Sequence, residues 1–305
     1  MEKIVITYKN SDLDCLASAY AYAEYLTKTG HSASYYIGGV VQKEVKIVCD
    51  LFNISLENEV ESIKDKEVIV VDTNTLSSVD YVNPKQIIEI IDHHPNSGDI
   101  KYCPNATLKL YDIGAVCTVI ADMFKNNNIG ISRESAILLY YGIISNTVNL
   151  KSKVTTQKDV EMLTWLKEQS HEIDEKLIET IFKEKSKVDI NNLRRFLEIE
   201  EKFMAGEDSM VIGQIELVDA LGFLNKNKTR IDQIISEVYN DYNVQHVFIN
   251  IVDIFNGYHL IYANDESTIS FLENKFRAKF IGGVYRENVS MLRKEIKRFL
   301  KTSAE

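Results

Sequence analysis

The amino-acid sequence predicts an α/β protein: an N-terminal doubly wound, mainly parallel sheet followed by a smaller C-terminal α/β domain. Three observations lead there. Short β-branched runs alternate with longer helical patterns through the first half of the chain, the pattern of parallel strands joined by crossover helices. The two strongest of these runs end in aspartates, Asp72 and Asp92, and ligands of open α/β sheets bind outside the carboxyl ends of the strands. The length, 305 residues, is about twice that of a common single domain. A mostly polar stretch at 186–192 supplies a linker, which puts one domain at 1–187 and a second at 188–305.

Taken in order, residues 4–8 read as the first strand and 14–27 as a helix rich in Ala, Leu and Tyr, with Gly30 as its stop. Residues 34–37 form a weaker strand, while 68–71 and 87–91, the latter apolar but for Glu89, are strong buried-strand candidates. Helical patterns follow at 116–126, 133–148, 156–169 and 176–185. Beyond the linker, a helix is expected at 193–203, strands at 210–217, 246–254 and 259–263, and a helix at 228–240 between the first two strands. The chain then closes on a basic helix that includes Arg293, Lys294, Lys297 and Arg298.

Composition narrows the function. Hydrophobic residues at 45% and charged residues at 26% match an ordinary globular protein. Lys and Arg total 35 against 45 Asp and Glu, and the resulting net charge of −10 disfavours binding to bulk nucleic acid. Cys15, Cys49, Cys103 and Cys117 form no CxxC pair, so they are expected as reduced, buried thiols rather than zinc ligands. No apolar run reaches the ~18 residues of a membrane span, and the short stretch at 4–8 is not a signal-peptide core. A cytoplasmic protein without membrane contact is expected.

The segment Asn10-Ser11-Asp12-Leu13-Asp14 lies between a strand and a helix. Clustered carboxylate oxygens suit hard divalent cations, although such a pair also reads as an N-cap with a solvated neighbour. Asp72 and Asp92 add two more acidic strand ends, and Asp92 is followed at once by His93 and His94, in a chain holding only 6 histidines. The plain alternative for the histidine pair is one structural imidazole beside an exposed one.

Ser11-Asp12-Leu13-Asp14, Val71-Asp72-Thr73-Asn74 and Asp92-His93-His94 resemble the first three motifs of the DHH phosphoesterases. Gly142 to Thr147, leading into Leu150-Lys151-Ser152, is similar to the fourth motif of the manganese-dependent inorganic pyrophosphatases in that superfamily. Gly213 to Glu216 and Asn250 to Ile254 resemble two strands of the associated C-terminal domain. The resemblance implies an active site in the cleft between the domains. It makes Asp12 a ligand of one metal, Asp14 and His93 ligands of another, and Asp72 a bridge between them. His94 would face substrate and Asp92 would orient the histidines. The cofactor implied is Mn2+ or Mg2+, as two ions, one weakly held.

Three positions depart from the family pattern. Tyr8 and Asn146 stand where a histidine ligand and an aspartate ligand are expected, and Thr73 replaces a histidine in the second motif. Asn146 is retained as a weakened metal ligand. A phenol with a pKa of ~10 is a poor ligand at neutral pH. For substrate phosphates, Arg286 is the surviving cation of a Gly-Val-Val-Ser-Arg-Lys-Lys-like segment, here Gly283 to Asn288, with Lys151 and Lys202 as further candidates. The expected activity is phosphoanhydride hydrolysis of pyrophosphate or short polyphosphate. Phosphodiester hydrolysis of short oligonucleotides and non-catalytic phosphate binding are the alternatives. A homodimer is implied through the resemblance alone.

Overall fold

The computed structural model describes residues 2–57, 62–197, 199 and 202–302. The chain divides into two compact units, residues 1–150 with 154–181, and residues 151–153 with 182–305. Among the described residues, no helix is long and apolar enough to cross a membrane.

The first unit contains β1 (Lys3–Ile6), β2 (Asn10–Ser11), α1 (Leu13–Lys28), β3 (Ala33–Tyr36), β4 (Val40–Val41) and α2 (Lys43–Phe52). They are followed by β5 (Glu67–Val71), β6 (Ile87–Asp92), β7 (Thr107–Leu110), α3 (Val116–Asn126), α4 (Arg133–Asn146), α5 (Gln157–Ser170) and α6 (Lys176–Lys185), within which the division between units falls. The main sheet runs β3-β1-β5-β6-β7 with every pair parallel. Ile4, Ile6, Val68, Val70, Ile87 and Ile90 pack together with Val79, Val82 and Cys103. Each such aliphatic side chain, fully buried, contributes about 1.5–3 kcal/mol. α1 packs against α3 and α4, and it carries alanines at 17, 19, 21 and 23 that allow close approach.

α4 stops at Asn146, two residues short of the helix expected at 133–148, because Val148, Asn149 and Leu150 all take positive φ, at 53, 53 and 62°. A left-handed backbone cannot continue a right-handed helix. β7 was not expected from the sequence; it is a four-residue edge strand whose side chains are exposed or half-buried, so it lacks the apolar run that marked its neighbours.

The second unit contains α7 (Leu193–Phe196), β8 (Phe203–Ala205), β9 (Asp208–Leu217), α8 (Ala220–Tyr242), β10 (His246–Asp253), β11 (Tyr258–Tyr262), α9 (Glu266–Phe276), β12 (Val284–Glu287) and α10 (Arg293–Thr302). Its sheet order is β12-β11-β10-β9-β8. β9 and β10 run parallel, joined by α8, while the remaining pairs are antiparallel. Alternation builds two cores: Val211, Ile249, Ile251 and Leu260 pack with α8, and Ile212, Phe248 and Ile261 pack with Leu272, Ile296 and Leu300. The helix expected at 193–203 is cut short at Phe196 and ends in a strand residue; its stretch over 198, 200 and 201 lies outside the described residues. α8 begins earlier than expected because Asp219, itself at φ 63°, caps it by accepting the Gly222 N–H at 3.1 Å.

Phe248 is completely buried in the middle of the parallel pair. Phe248→Ala is expected to cost about 3–5 kcal/mol, read as a lowered denaturant midpoint at unchanged slope.

Candidate metal centre

Past the end of β1 the chain turns through residues 7–12 into α1. Asp12 is the N-cap of that helix: its backbone is extended and Oδ1 accepts the Cys15 N–H at 2.9 Å. The capping alternative for this motif therefore describes Asp12, but Asp14 is no solvated neighbour. Its side chain is 1% exposed, and its carboxylate accepts the N–H groups of Val116 at 2.9 Å and Cys117 at 2.7 Å. Those are the first two residues of α3, whose own N-cap, Ala115, offers no side-chain hydrogen bond. Asp14 thus anchors one helix on the positive end of another.

Asp72 follows β5 in a left-handed conformation, φ 61°, which aspartate tolerates better than most residues. The side chain is 2% exposed, and Oδ1 lies 3.4 Å from His93 Nε2 and 3.9 Å from His94 Nδ1. Asp92 ends β6 and is fully buried. Its Oδ1 accepts the His93 N–H at 2.7 Å and the His94 N–H at 3.1 Å and bonds His94 Nδ1 at 2.8 Å, while Oδ2 accepts the Asn74 amide. Burial pushes the Asp92 carboxyl up, but the hydrogen bond and charge of His94 together with Asn74 outweigh it, and the net shift is downward.

The His93 side chain is buried, and its Nδ1 is 2.9 Å from the Ile113 carbonyl. Only a protonated Nδ1 can bond a carbonyl, so in the neutral ring the lone pair is on Nε2, which faces Asp72 and, at 3.9 Å, Asp14. The His94 side chain is 41% exposed, its ring edge-on to His93 with centroids 4.5 Å apart. With Nδ1 held on Asp92, its Nε2 is the nitrogen left to meet a ligand. Asp72, His93 and His94 each offer an atom within 4.8 Å of the others.

Asn146, the last residue of α4, places its amide nitrogen 3.1 Å from Asp14 Oδ2, 2.8 Å from Gly114 O and 3.3 Å from His93 Nε2. It belongs to the cluster, as a neutral donor where a carboxylate would add charge. Tyr8 lies beside Asp12, whose N–H is 3.4 Å from its hydroxyl. Burial, then the charges of Asp12 and Asp72, holds its phenol well above its ordinary value, so Tyr8 stays protonated and neutral. For Asp14, burial and then the Asp72 charge raise the carboxyl to about 7, against an opposing pull from His93 and the Cys117 N–H. Among the described residues this is a compact anionic cluster, walled from solvent on the Asp14 side, of the kind a divalent cation relieves. The buried thiols beside it, Cys15 and Cys117, are held well above their usual range by burial and neighbouring carboxylates, and all four cysteines are free and buried.

The three cation candidates belong to the second unit and do not converge. Lys151 bonds the Phe255 carbonyl and packs on Gly257, and Arg286 stacks at 4.0 Å over the Tyr258 ring. Both therefore border the turn between β10 and β11. Lys202 instead bonds the carbonyl of Asn243 at 3.4 Å and precedes β8, at the opposite edge of the sheet from β12.

Sequence reasoning missed Glu44, a buried acid of α2 that accepts the Leu13 N–H at 3.2 Å and the Ser145 hydroxyl. It also gave no role to Asn74, which spans Asp92 and the Ser97 N–H. Asn74 had a signal in its motif; Glu44, in a charged helix start, had none.

Residues 3–143 match the DHH family, N-terminal domain. The chain carries a DHH family domain. The match covers Asp12, Asp14, Asp72, Asp92, His93 and His94, and stops short of Asn146 and of the second unit. Beyond the DHH domain the likeness runs on. A probable manganese-dependent inorganic pyrophosphatase of Oceanobacillus iheyensis is 28% identical over 266 residues, 84% of each chain. A manganese-dependent inorganic pyrophosphatase of Methanothrix thermoacetophila is 27% identical over 297 residues, 96% of this chain and 95% of its own. In three dimensions, a Methanococcus jannaschii protein assigned as a family II inorganic pyrophosphatase superposes with a TM-score of 0.73 at 24% identity, covering 100% of this chain and 99% of that one. That last likeness is one of fold, sheet with DHH domain and second unit alike.

Proposed function

We propose that this chain hydrolyses a phosphoanhydride, inorganic pyrophosphate or a short polyphosphate, using Mn2+ or Mg2+ bound among Asp14, Asp72 and His93. One observation carries the reading: two buried carboxylates, Asp72 past the end of β5 and Asp14 in the first turn of α1, face Nε2 of His93, and burial, followed by the charge of Asp72, raises Asp14 to about 7. Hard oxygen donors beside a neutral imidazole suit Mn2+. The names of the relatives, inorganic pyrophosphatases dependent on manganese, support the same substrate and cation.

When bound, the cation supplies Lewis acidity, lowering the pKa of water and drawing charge from phosphate oxygens. The chain's own residues supply order and proton handling. Asp92 locks His94 through Nδ1, so a protonated His94 aims its Nε2–H outward at a phosphate or leaving-group oxygen. The Ile113 carbonyl holds the other histidine in the tautomer that ligates. Lys151 and Arg286, gathered at one turn of the second unit, are proposed as phosphate-binding cations. Asp12, spent on the helix cap, is proposed as a ligand only through its second oxygen.

Phosphate release from pyrophosphate, tripolyphosphate and a dinucleotide, each with Mn2+ or Mg2+, tests the proposal. Turnover of pyrophosphate or tripolyphosphate supports it; turnover of the dinucleotide alone moves the protein to the phosphodiesterase reading, and no turnover with any of the three overturns the proposal and favours non-catalytic phosphate binding. A finer expectation concerns Asn146. Asn146→Asp puts a carboxylate beside Asp14, which should tighten Mn2+ binding about tenfold or more, ~1.4 kcal/mol, while lowering the melting temperature of the metal-free protein. Mn2+ titration by electron paramagnetic resonance checks the first and thermal melts in chelator the second.

A further inference from the structure

The segment 113–117 touches three members of the cluster at once. Ile113 O meets His93 Nδ1 at 2.9 Å, Gly114 O meets the Asn146 amide at 2.8 Å, and the N–H groups of Val116 and Cys117 meet Asp14. What holds this segment is a carboxylate 45 residues further on. Asp159 Oδ2 accepts the Gly114 N–H at 3.1 Å, and Oδ1 accepts the Thr118 hydroxyl. We propose that Asp159 is a positioning residue of the metal centre, fixing the 113–117 segment and through it the tautomer of His93 and the setting of Asp14.

The plain alternative is helix capping. Thr156 and Asp159 form a capping box at the start of α5, with the Thr156 N–H 2.7 Å from Oδ2. A capping box needs nothing more than that reciprocal pair and normally sits at the surface. Asp159 is completely buried and extends both oxygens to another part of the chain. Burying a carboxylate is costly without full hydrogen bonding, and a surface cap would avoid that cost. The backbone on the other side is equally committed: a Cβ on Gly114 would lie 2.6 Å from Asp159 Oδ2 and 2.7 Å from Thr147 Cγ2. Residue 114 is glycine because its N–H must reach that carboxylate through a gap with no room for a side chain. Freed from Asp159, the segment would no longer hold the Ile113 carbonyl on His93 Nδ1, and the imidazole could place its proton on Nε2, where it cannot ligate.

The test uses the full chain, metal-free, with 15N-labelled histidine, at a pH where His93 is neutral. Long-range 1H–15N spectra should give His93 as the Nδ1–H tautomer in the wild type and as a mixture in Asp159→Asn, with a smaller change of the same kind in Thr118→Val. Mn2+ affinity should fall about 10–100-fold in Asp159→Asn. Thr156→Ala removes the cap and one hydroxyl donor to Asp159 Oδ2 but spares the Gly114 and Thr118 bonds, and should lower the melting temperature while leaving the His93 spectrum and Mn2+ affinity as in the wild type. Wild-type His93 spectra in folded Asp159→Asn overturn the proposal, as does a Thr156→Ala spectrum matching that of Asp159→Asn. Should Asp159→Asn not fold, Thr118→Val decides in the same way. The proposal rests on the functional reading only for the loss of Mn2+ affinity; the tautomer is read without metal or substrate, so a protein that hydrolyses nothing still answers it.

Discussion

Asp72→Asn is expected to lower phosphate release from pyrophosphate by roughly 10³-fold or more, the scale on which losing one fixed charge or donor at a reacting centre is felt. Asp72 stands beside both histidines: its Oδ1 is 3.4 Å from one and 3.9 Å from the other, and its charge is the largest electrostatic influence on Asp14 after burial. An amide keeps the size and shape and offers one neutral oxygen in place of the carboxylate. Asparagine also accepts the left-handed backbone at φ 61°, so the substitution spares the fold. Asp72→Ala is the harsher variant, because alanine in that conformation costs about 1–2 kcal/mol in its own right.

The pair separates chemistry from folding. Asp72→Asn should melt at or above the wild-type temperature in chelator, since it removes repulsion from a buried cluster, while losing both turnover and Mn2+ affinity. A stable Asp72→Asn protein that still releases phosphate at the wild-type rate would remove Asp72 from the centre of the mechanism. Restored turnover on raising Mn2+ to millimolar levels would assign the residue to binding the cation more than to the reacting step.

Much of this site was legible in the sequence because its chemistry sits at strand ends. A strongly apolar run followed by an acid, as at Val71-Asp72 and, with Glu89 as the one interruption, Ile91-Asp92, already says that the acid leaves the sheet at its carboxyl edge. The two buried cores of the second unit were legible in part, through the runs that became β9, β10 and β11. What could not be read was anything requiring the partner's position. Asp12 and Asp14 look equivalent in sequence, yet one caps its own helix and the other binds the start of α3, 102 residues away. Lys202 and Arg286 are both cations of the second half, and only the strand order puts them at opposite edges. Elements with weak apolar content, such as β7 and β12, gave no run to detect; they exist because a neighbouring strand offers them hydrogen bonds.

Asp14 also ties stability to pH in a direction opposite to that of most carboxylates. Its folded-state pKa of about 7 lies above an unfolded value of ~3.9, so the folded state binds its proton more tightly. The stability it contributes is fully present below about pH 4 and is lost as pH rises through about 7, on the order of 4 kcal/mol over that span. Asp92, shifted downward, has its effect below that window. His246 and His259, both lowered chiefly by burial, gain stability as pH rises toward 6.5 and partly offset the trend, and Glu295, raised by burial, adds to it. Since those groups are shared, the Asp14 component is the difference between wild type and Asp14→Asn. In chelator, the wild-type melting temperature should fall relative to Asp14→Asn between pH 5 and pH 8; parallel curves would mean that Asp14 is ionised throughout. Saturating Mn2+ should abolish the fall, because a cation favours the carboxylate and displaces its proton. Titration calorimetry of Mn2+ at pH 6 in buffers of different ionisation enthalpy should then register proton release in the wild type and less of it in Asp14→Asn. A buried acid that yields its proton to a cation would link the repulsion in the empty cluster to the affinity of the filled one.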